Sequence, residues 1–148
     1  MVPTLNGRIQ TRVFLLLVLG IPWTVLVTPL APHPAGATLG ARYGATFWVL
    51  GEVIVVGCLL WEPLYHLLMQ FRWEKDWPIM FILLEGIPEG VLAYVLFRSI
   101  GPSGTPPPAS TATFLTHFIP LWFFVWLAAI GPLRVVFHRW RFRGGRIV

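Results

Sequence analysis

The side chains in this sequence best suited to chemistry are carboxylates and imidazoles that interrupt long apolar stretches. A charged group near the centre of a bilayer costs about 2.5–3.5 kcal/mol on insertion scales, so such groups normally face the interior of a helix bundle or a water-filled cavity. There they bind ions or substrates, relay protons or join helices through hydrogen bonds. The residues concerned are Glu52, Glu62, His66, Glu85, Glu89 and His117.

The helical spacing of these residues predicts a common interior face. At 100° per residue, Glu52, Glu62 and His66 fall within an arc of about 80°. Glu85 and Glu89 are separated by about 40°. Adjacent antiparallel helices joined by a short turn pack side by side, which would bring residues of similar depth together. The predicted intramembrane cluster is Glu62, His66, Glu85 and Glu89, and the predicted outer pair is Glu52 and His117.

Prolines flank two of these carboxylates. Pro63 follows Glu62, and Pro88 precedes Glu89. Because proline has no N–H, each removes one helical hydrogen bond and frees a carbonyl oxygen on the preceding turn. Freed carbonyls beside carboxylates would form a hydrated patch that favours cations; the alternative is that the prolines only kink the helices. The spacing of Gly86 and Gly90 would let a second backbone approach closely.

The elements that must position these groups are four apolar stretches, each close to the roughly 20 residues that a spanning helix needs. Composition agrees, because 56% of the 148 residues are hydrophobic and 11% are charged, with a mean hydropathy of +0.72. We therefore predict an all-α integral membrane four-helix bundle, with residues 1–148 forming one transmembrane domain and no soluble domain. The predicted helices cover about residues 13–30, 45–71, 78–97 and 112–137.

Basic residues are distributed unequally among the connecting segments. The N-terminal segment, the turn at 71–77 and the C-terminal tail carry most of them, whereas the opposite side of a four-span bundle has Arg42 and Arg98. The positive-inside rule then predicts that both termini are cytoplasmic, in a plasma (inner) membrane. The excess of arginine over lysine suggests a bacterial source. The alternative for the first stretch is a cleaved signal peptide, because Arg8 and Arg12 precede it and an A-x-A-like site follows.

The C-terminal tail alternates arginine with aromatic residues, which predicts binding to lipid headgroups. Anionic lipids at the cytoplasmic face are the expected partners rather than nucleic acid, because the basic residues lie mostly at helix ends. Other membrane subunits, or further copies of this chain, are also expected partners. The predicted headgroup residues are Arg139, Trp140, Arg141 and Arg143.

Motifs for cofactors or metals are not found in the sequence. Cys58 is the single cysteine, so the chain can form neither an internal disulfide nor a site with several thiolates. The di-iron bundle pattern requires Glu-x-x-His, whereas Glu62 and His66 are four apart. We therefore expect neither a metal nor a cofactor.

Three classes of function remain compatible with these observations. The first is a non-catalytic membrane component, either a subunit of a larger complex or a homo-oligomer, in which the Glu/His cluster fixes helix packing. The second is proton or cation translocation along an intramembrane carboxylate ladder. The third is a membrane enzyme acting on a lipid or quinone-like substrate, in which the pairs Glu62/His66 and Glu85/Glu89 would bind a metal or act as general acid and base. The sequence does not identify its catalytic residues.

Overall fold

The computed structural model describes residues 4–71, 79–103 and 109–136, and all regular secondary structure in these ranges is helical. Four helices are long and apolar enough to cross a membrane, which confirms the predicted helical class and indicates a membrane protein. We call them the first to fourth spans: Leu5–Val27, Leu39–Gln70, Met80–Ile100 and Thr111–Val136.

Each span consists of shorter helical pieces. In chain order, these are α-helix Leu5–Leu15, π-helix Leu16–Gly20, α-helix Ile21–Val27, α-helix Leu39–Val56, π-helix Gly57–Trp61, and α-helices Glu62–Gln70, Ile79–Leu84, Gly86–Ile100, Thr111–Ile130 and Pro132–Val136.

The spans form a ring in chain order. The first packs against the second and fourth, and the third also packs against the second and fourth, so the first and third lie diagonally opposite. The first and third spans begin at the same side of the bundle, where the second and fourth spans finish. We call this side the inner end and the opposite side the outer end. Contacts across the diagonal therefore pass through the centre of the bundle.

The first two spans begin earlier than the apolar stretches predict. The first helix begins at Leu5, not near residue 13, because the hydroxyl of Thr4 caps it by accepting from the Gly7 N–H. The second begins at Leu39, not near residue 45, after a similar cap by Thr38. Hydropathy misses these polar first turns, and as a result Arg8 and Arg12 belong to the first helix and not to the segment before it.

Both π-helical turns come before a proline. Pro22 and Pro63 each lie at the second position of the α-helix that follows, where they cannot donate to the preceding turn. In the second span, the Glu62 N–H bonds the carbonyl of Gly57, five residues back. A π turn accommodates one extra residue, so it rotates the following helix by roughly 100° relative to a continuous α-helix. The common face calculated for Glu52 and Glu62 is lost for this reason.

Aromatic rings of the fourth span pack against glycines of the third. A Cβ built on Gly86 would overlap the indole of Trp122, and one on Gly90 would lie 2.6 Å from Phe118 Cε1. The rings of Phe118 and Trp122 are stacked, with centroids 6.1 Å apart. The two glycines thus admit aromatic side chains where the sequence predicts the approach of another backbone.

Candidate functional site

Two arginines of the first span form the centre of the candidate site. Arg8 and Arg12 lie one helical turn apart, so their side chains leave the same face of the helix. Only 5% of Arg8 and 7% of Arg12 is exposed. A buried guanidinium requires anionic partners, because its desolvation is otherwise uncompensated.

Glu62 of the second span supplies the first of these partners. One of its carboxylate oxygens accepts from Arg8 Nε at 2.6 Å, and the other accepts from Arg12 Nε at 2.7 Å. Glu62 is itself only 6% exposed. This single carboxylate therefore joins two turns of the first span to the second.

Glu89 of the third span supplies the second partner. The two terminal nitrogens of Arg12 donate to its two oxygens at 2.6 and 2.8 Å, which is a bidentate pair. All three guanidinium nitrogens of Arg12 thus donate to carboxylates, and Arg12 connects the first, second and third spans. The pair with Glu89 crosses the diagonal of the bundle. We call Arg8, Arg12, Glu62 and Glu89 the ionic network.

The surroundings of Arg12 are shaped to fit its side chain. A Cβ on Gly57 would lie 2.8 Å from Arg12 Cδ and Nη1, so a larger residue here would require the Arg12 side chain or the second span to shift. The Arg12 guanidinium carbon is also 5.7 Å from the ring centre of Trp122, within the range of a cation–π contact. The Trp122 indole N–H is fixed by a 3.0 Å hydrogen bond to the carbonyl of Leu83.

A cavity of about 70 Å³ adjoins the ionic network near the inner end of the bundle. Arg8, Arg12, Glu62 and Glu85 contribute its polar wall, and residues of the fourth span, including Trp122, contribute much of its apolar wall. Glu85 differs from the other two glutamates near the cavity. Its Oε1 is buried and has no hydrogen-bond partner among the described residues.

The predicted cluster is thus brought together in part. Glu62 and Glu89 meet on Arg12, and Glu85 shares a cavity wall with Glu62. Within the described ranges, His66 has no hydrogen bond or ion pair to these carboxylates, and its Nδ1 is buried without a partner. As a functional unit, the cluster stays a prediction.

The predicted outer pair is not in direct contact in the described part of the chain. His117 Nε2 is 2.8 Å from the hydroxyl of Thr24, and its backbone carbonyl accepts from the Trp23 indole at 2.9 Å. Both carboxylate oxygens of Glu52 are buried without a partner among the described residues. Glu52 instead lines a small cavity of about 10 Å³ that Glu89 also borders.

Neutral hydrogen bonds hold the outer end together. The hydroxyls of Thr28 and Thr46 are 2.7 Å apart and join the first span to the second. Thr24 and Thr28 also donate to carbonyls one turn back, at 2.7 and 2.6 Å. Thr113 of the fourth span donates to the carbonyl of Pro32.

Sequence reasoning missed the ion pairs of Arg8 and Arg12, because it assigned both residues to topology. Two signals could have found them. Thr4 is a good N-cap residue, so a helix beginning there would have placed both arginines on one face. Glu62 and Glu89 also required cationic partners if they were to stay ionised in a bundle core. The predicted headgroup residues Arg139, Trp140, Arg141 and Arg143 lie outside the described residues.

No group of three or more His, Cys, Asp or Glu side chains in the described ranges could hold a metal ion. No protein-family model, curated protein or solved structure matches this chain.

Proposed function

We propose that this protein is a non-catalytic membrane component, acting as a subunit of a larger complex or as a homo-oligomer. The observation that carries the proposal is the double use of Arg12, which bonds Glu62 and Glu89 at once and so ties three spans together. Four of the charged groups in the bundle core neutralise one another. Their first role is then to fix one arrangement of the helices.

This proposal includes the position of the protein in the cell. Both termini would face the cytoplasm of a bacterial plasma membrane, with the tail arginines on anionic lipid. Assigning Arg8 and Arg12 to the first helix removes them from the basic residues that set topology. Arg72, Lys75 and the tail still exceed Arg42 and Arg98 on the opposite side, so the expected orientation is unchanged.

The mass of the intact particle tests the proposal. Extracted in a mild detergent, the protein should run as one defined particle heavier than the 16.7 kDa chain, either with other subunits or with copies of itself. A strictly monomeric particle that converts a lipid or quinone-like substrate would contradict it. The Arg98→Met variant changes an arginine outside the ionic network and should assemble like the wild type. It serves as the matched control for Arg12→Met, which removes the shared partner of Glu62 and Glu89.

A second candidate function is supported by the small cavity between Glu52 and Glu89. From there, Glu89, Arg12 and Glu62 continue as bonded neighbours to the cavity that Glu85 lines. This series of carboxylates would suit the stepwise movement of protons through the bundle. The cavity beside Glu52 measures about 10 Å³, which is too small for a hydrated metal cation, so protons are the better choice.

Proton flux into liposomes separates the two candidates. A conduit should acidify the liposome interior under an imposed potential, and Glu52→Gln should abolish that flux while the particle stays intact. A purely structural component should show no flux above that of empty liposomes. Flux that persists in the Glu52→Gln variant would count against a path through this carboxylate.

A further inference from the structure

The cavity beside the ionic network, which we call the inner cavity, lies among all four spans. Its lining comes from the first, third and fourth spans, together with Glu62 of the second. Its volume is about 70 Å³, and a water molecule needs about 10–15 Å³ of such space. The inner cavity therefore has room for a few water molecules and not for a larger solute.

Arg8 borders this cavity with unused hydrogen-bond donors. Its Nε donates to Glu62, and its Nη1 donates at 3.5 Å to the thioether of Met69, which is a weak acceptor. Its Nη2 makes no hydrogen bond with the described residues, yet they leave this atom accessible to a water-sized molecule. Arg12 differs, because all three of its nitrogens donate to carboxylates. Arg8 therefore needs a further acceptor.

Glu85 borders the same cavity with an unused acceptor. Its Oε1 is buried, whereas its Oε2 is accessible and makes no hydrogen bond with the described residues. A donor on Arg8 and an acceptor on Glu85 are thus placed around one small space. Water accepts from the first and donates to the second, and polar groups inside proteins are commonly satisfied in this way.

The position of the inner cavity indicates which side of the membrane supplies the water. On the first span its lining begins at Arg8 and ends at Leu16, which lie about 5 Å and about 17 Å from the helix start at Leu5. Leu16 is only 1% exposed and belongs to the buried apolar core that includes Leu50 and Leu121. The cavity therefore approaches the inner end of the bundle and is closed toward the outer end.

We propose that the inner cavity is an aqueous vestibule, filled from the inner side of the membrane and closed toward the outer side, that hydrates Arg8 and Glu85. Charged side chains inside a membrane normally pair with one another or face a water-filled cavity. Arg12 follows the first course, because every nitrogen of its guanidinium is paired. Arg8 and Glu85 follow the second, and a bridging water stabilises such groups nearly as well as a direct hydrogen bond.

The vestibule adds a site to the proposed structural role and does not depend on it. In a purely structural subunit, the water would only hydrate charged groups in the bundle. In a proton conduit, the same water would connect Glu85 to the inner solution and form the inner half of the path. Hydration and proton flux are measured separately, so one result can fail without the other.

The reaction of a cavity thiol with Ag⁺ tests the proposal. Thr11 lines the inner cavity, so Thr11→Cys is made in a Cys58→Ser background and the full chain is placed in sealed vesicles. Ag⁺ is added on one side at a time, and the remaining thiol is labelled after denaturation. The inner side is the one on which a protease removes an N-terminal tag, because the first span begins there. We expect most of the thiol to be lost with Ag⁺ on the inner side and little with Ag⁺ on the outer side.

A buried threonine elsewhere provides the matched control. Thr46 is 2% exposed and does not line the inner cavity, so the thiol of Thr46→Cys should survive Ag⁺ on both sides. Equal loss of both thiols would show that Ag⁺ enters the bundle without a vestibule. A Thr11→Cys thiol that survives on both sides, or reacts equally from both, would also overturn the proposal.

A second pair of variants tests the shape of the cavity. Ala129 lines it, so Ala129→Phe combined with Thr11→Cys should fill space and slow the loss of the thiol. Leu127→Phe changes an exposed residue that does not line the cavity and should leave the rate unchanged. Equal rates in both variants would mean that Ag⁺ reaches position 11 by another route, which contradicts the proposal.

The unaltered chain provides a test that does not depend on the folding of variants. Hydroxyl radicals formed from water by X-ray pulses oxidise the side chains that lie next to that water. Trp122 lines the inner cavity, whereas the half-buried Trp23 bonds the carbonyl of His117 and does not line it. With the chain in nanodiscs, Trp122 should be oxidised several times faster than Trp23. Equal rates of oxidation would overturn the proposal.

Discussion

The two ends of this bundle are held together by different chemistry. At the inner end, Arg8, Arg12, Glu62 and Glu89 form ion pairs of 2.6 to 2.8 Å. At the outer end, the contacts between spans use neutral hydroxyls, an indole and an imidazole. Both sets lie in a bundle whose surface is largely apolar.

The difference shows how each end responds to the loss of one partner. A neutral hydrogen bond contributes about 0.5–1.5 kcal/mol net, and its loss leaves a polar group that is only moderately costly to bury. Removing one member of a buried ion pair leaves a charge, which costs about 3–5 kcal/mol. The inner end should therefore be the more sensitive end, although it is not for that reason the more stable one.

The largest effect is expected at Arg12. Arg12→Met leaves Glu89 without its bidentate partner and removes one of the two partners of Glu62. The free energy of unfolding, measured in mixed micelles, should fall by about 3–5 kcal/mol. Arg98→Met, at an exposed arginine outside the ionic network, should change it by less than about 0.5 kcal/mol.

A double variant sharpens this first prediction. Arg12→Met combined with Glu89→Gln removes a charge from each side, so it should cost less than Arg12→Met alone. A double variant that is as unstable as the single one would mean that Arg12 acts through packing and not through charge.

A smaller effect is expected at Gly86. Gly86→Ala places a methyl group in the volume of the Trp122 indole, which is itself held by Leu83. Overpacking of this kind costs about 1–3 kcal/mol, measured again as the free energy of unfolding. Gly51→Ala is the matched control, because nothing lies within 4 Å of its Cβ position and alanine is the better helix former. Equal destabilisation by both variants would contradict the close approach at Gly86.

At the outer end, Thr24→Val tests the bond to His117. Valine keeps the shape of threonine but leaves His117 Nε2 without its partner, while Nδ1 already has none among the described residues. The expected cost is about 1–2 kcal/mol, below that of Arg12→Met. A loss as large as that of the arginine variant would erase the distinction between the two ends.

The smallest effect is expected for Thr28→Val. The variant breaks the bond between the hydroxyls of Thr28 and Thr46. Thr46 keeps the carbonyls of Arg42 and Tyr43 as acceptors, so its hydroxyl is not left unpaired. The cost should be about 0.5–1 kcal/mol in the same unfolding measurement. A free energy of unfolding clearly lower than that of the Thr24→Val variant would contradict this order.

The fold was largely predictable from the sequence because its signal is simple. Four apolar stretches of about 20 residues separated by polar or proline-rich segments predict four long helices. The helix starts were predicted less well, since a cap such as Thr4 or Thr38 is a local signal that hydropathy does not register. Glu62 and Glu89 were predicted to lie inside the bundle, and both are buried.

The partners of these carboxylates could not be predicted in the same way. Regular helical geometry placed Glu52 on the face of Glu62, but the π turn at Gly57–Trp61 rotates the second span between them. Proline shows where a helical hydrogen bond is lost, yet it does not determine whether the chain kinks or takes up an extra residue. At this turn Arg12 packs against Gly57, which is a tertiary contact that the local sequence does not specify.

The sequence by itself determined the class of this protein, four long apolar helices with acidic groups among them, because hydrophobicity and helix length are properties of each segment alone. Only the tertiary structure decided what those groups do. Whether a carboxylate inside the bundle is paired, like Glu62, or has an oxygen without a partner among the described residues, like Glu85, depends on which side chains other helices bring to it. Such pairing joins residues that are far apart in the sequence. Because an unpaired buried charge is costly in free energy, these pairings decide which arrangement of the helices is stable.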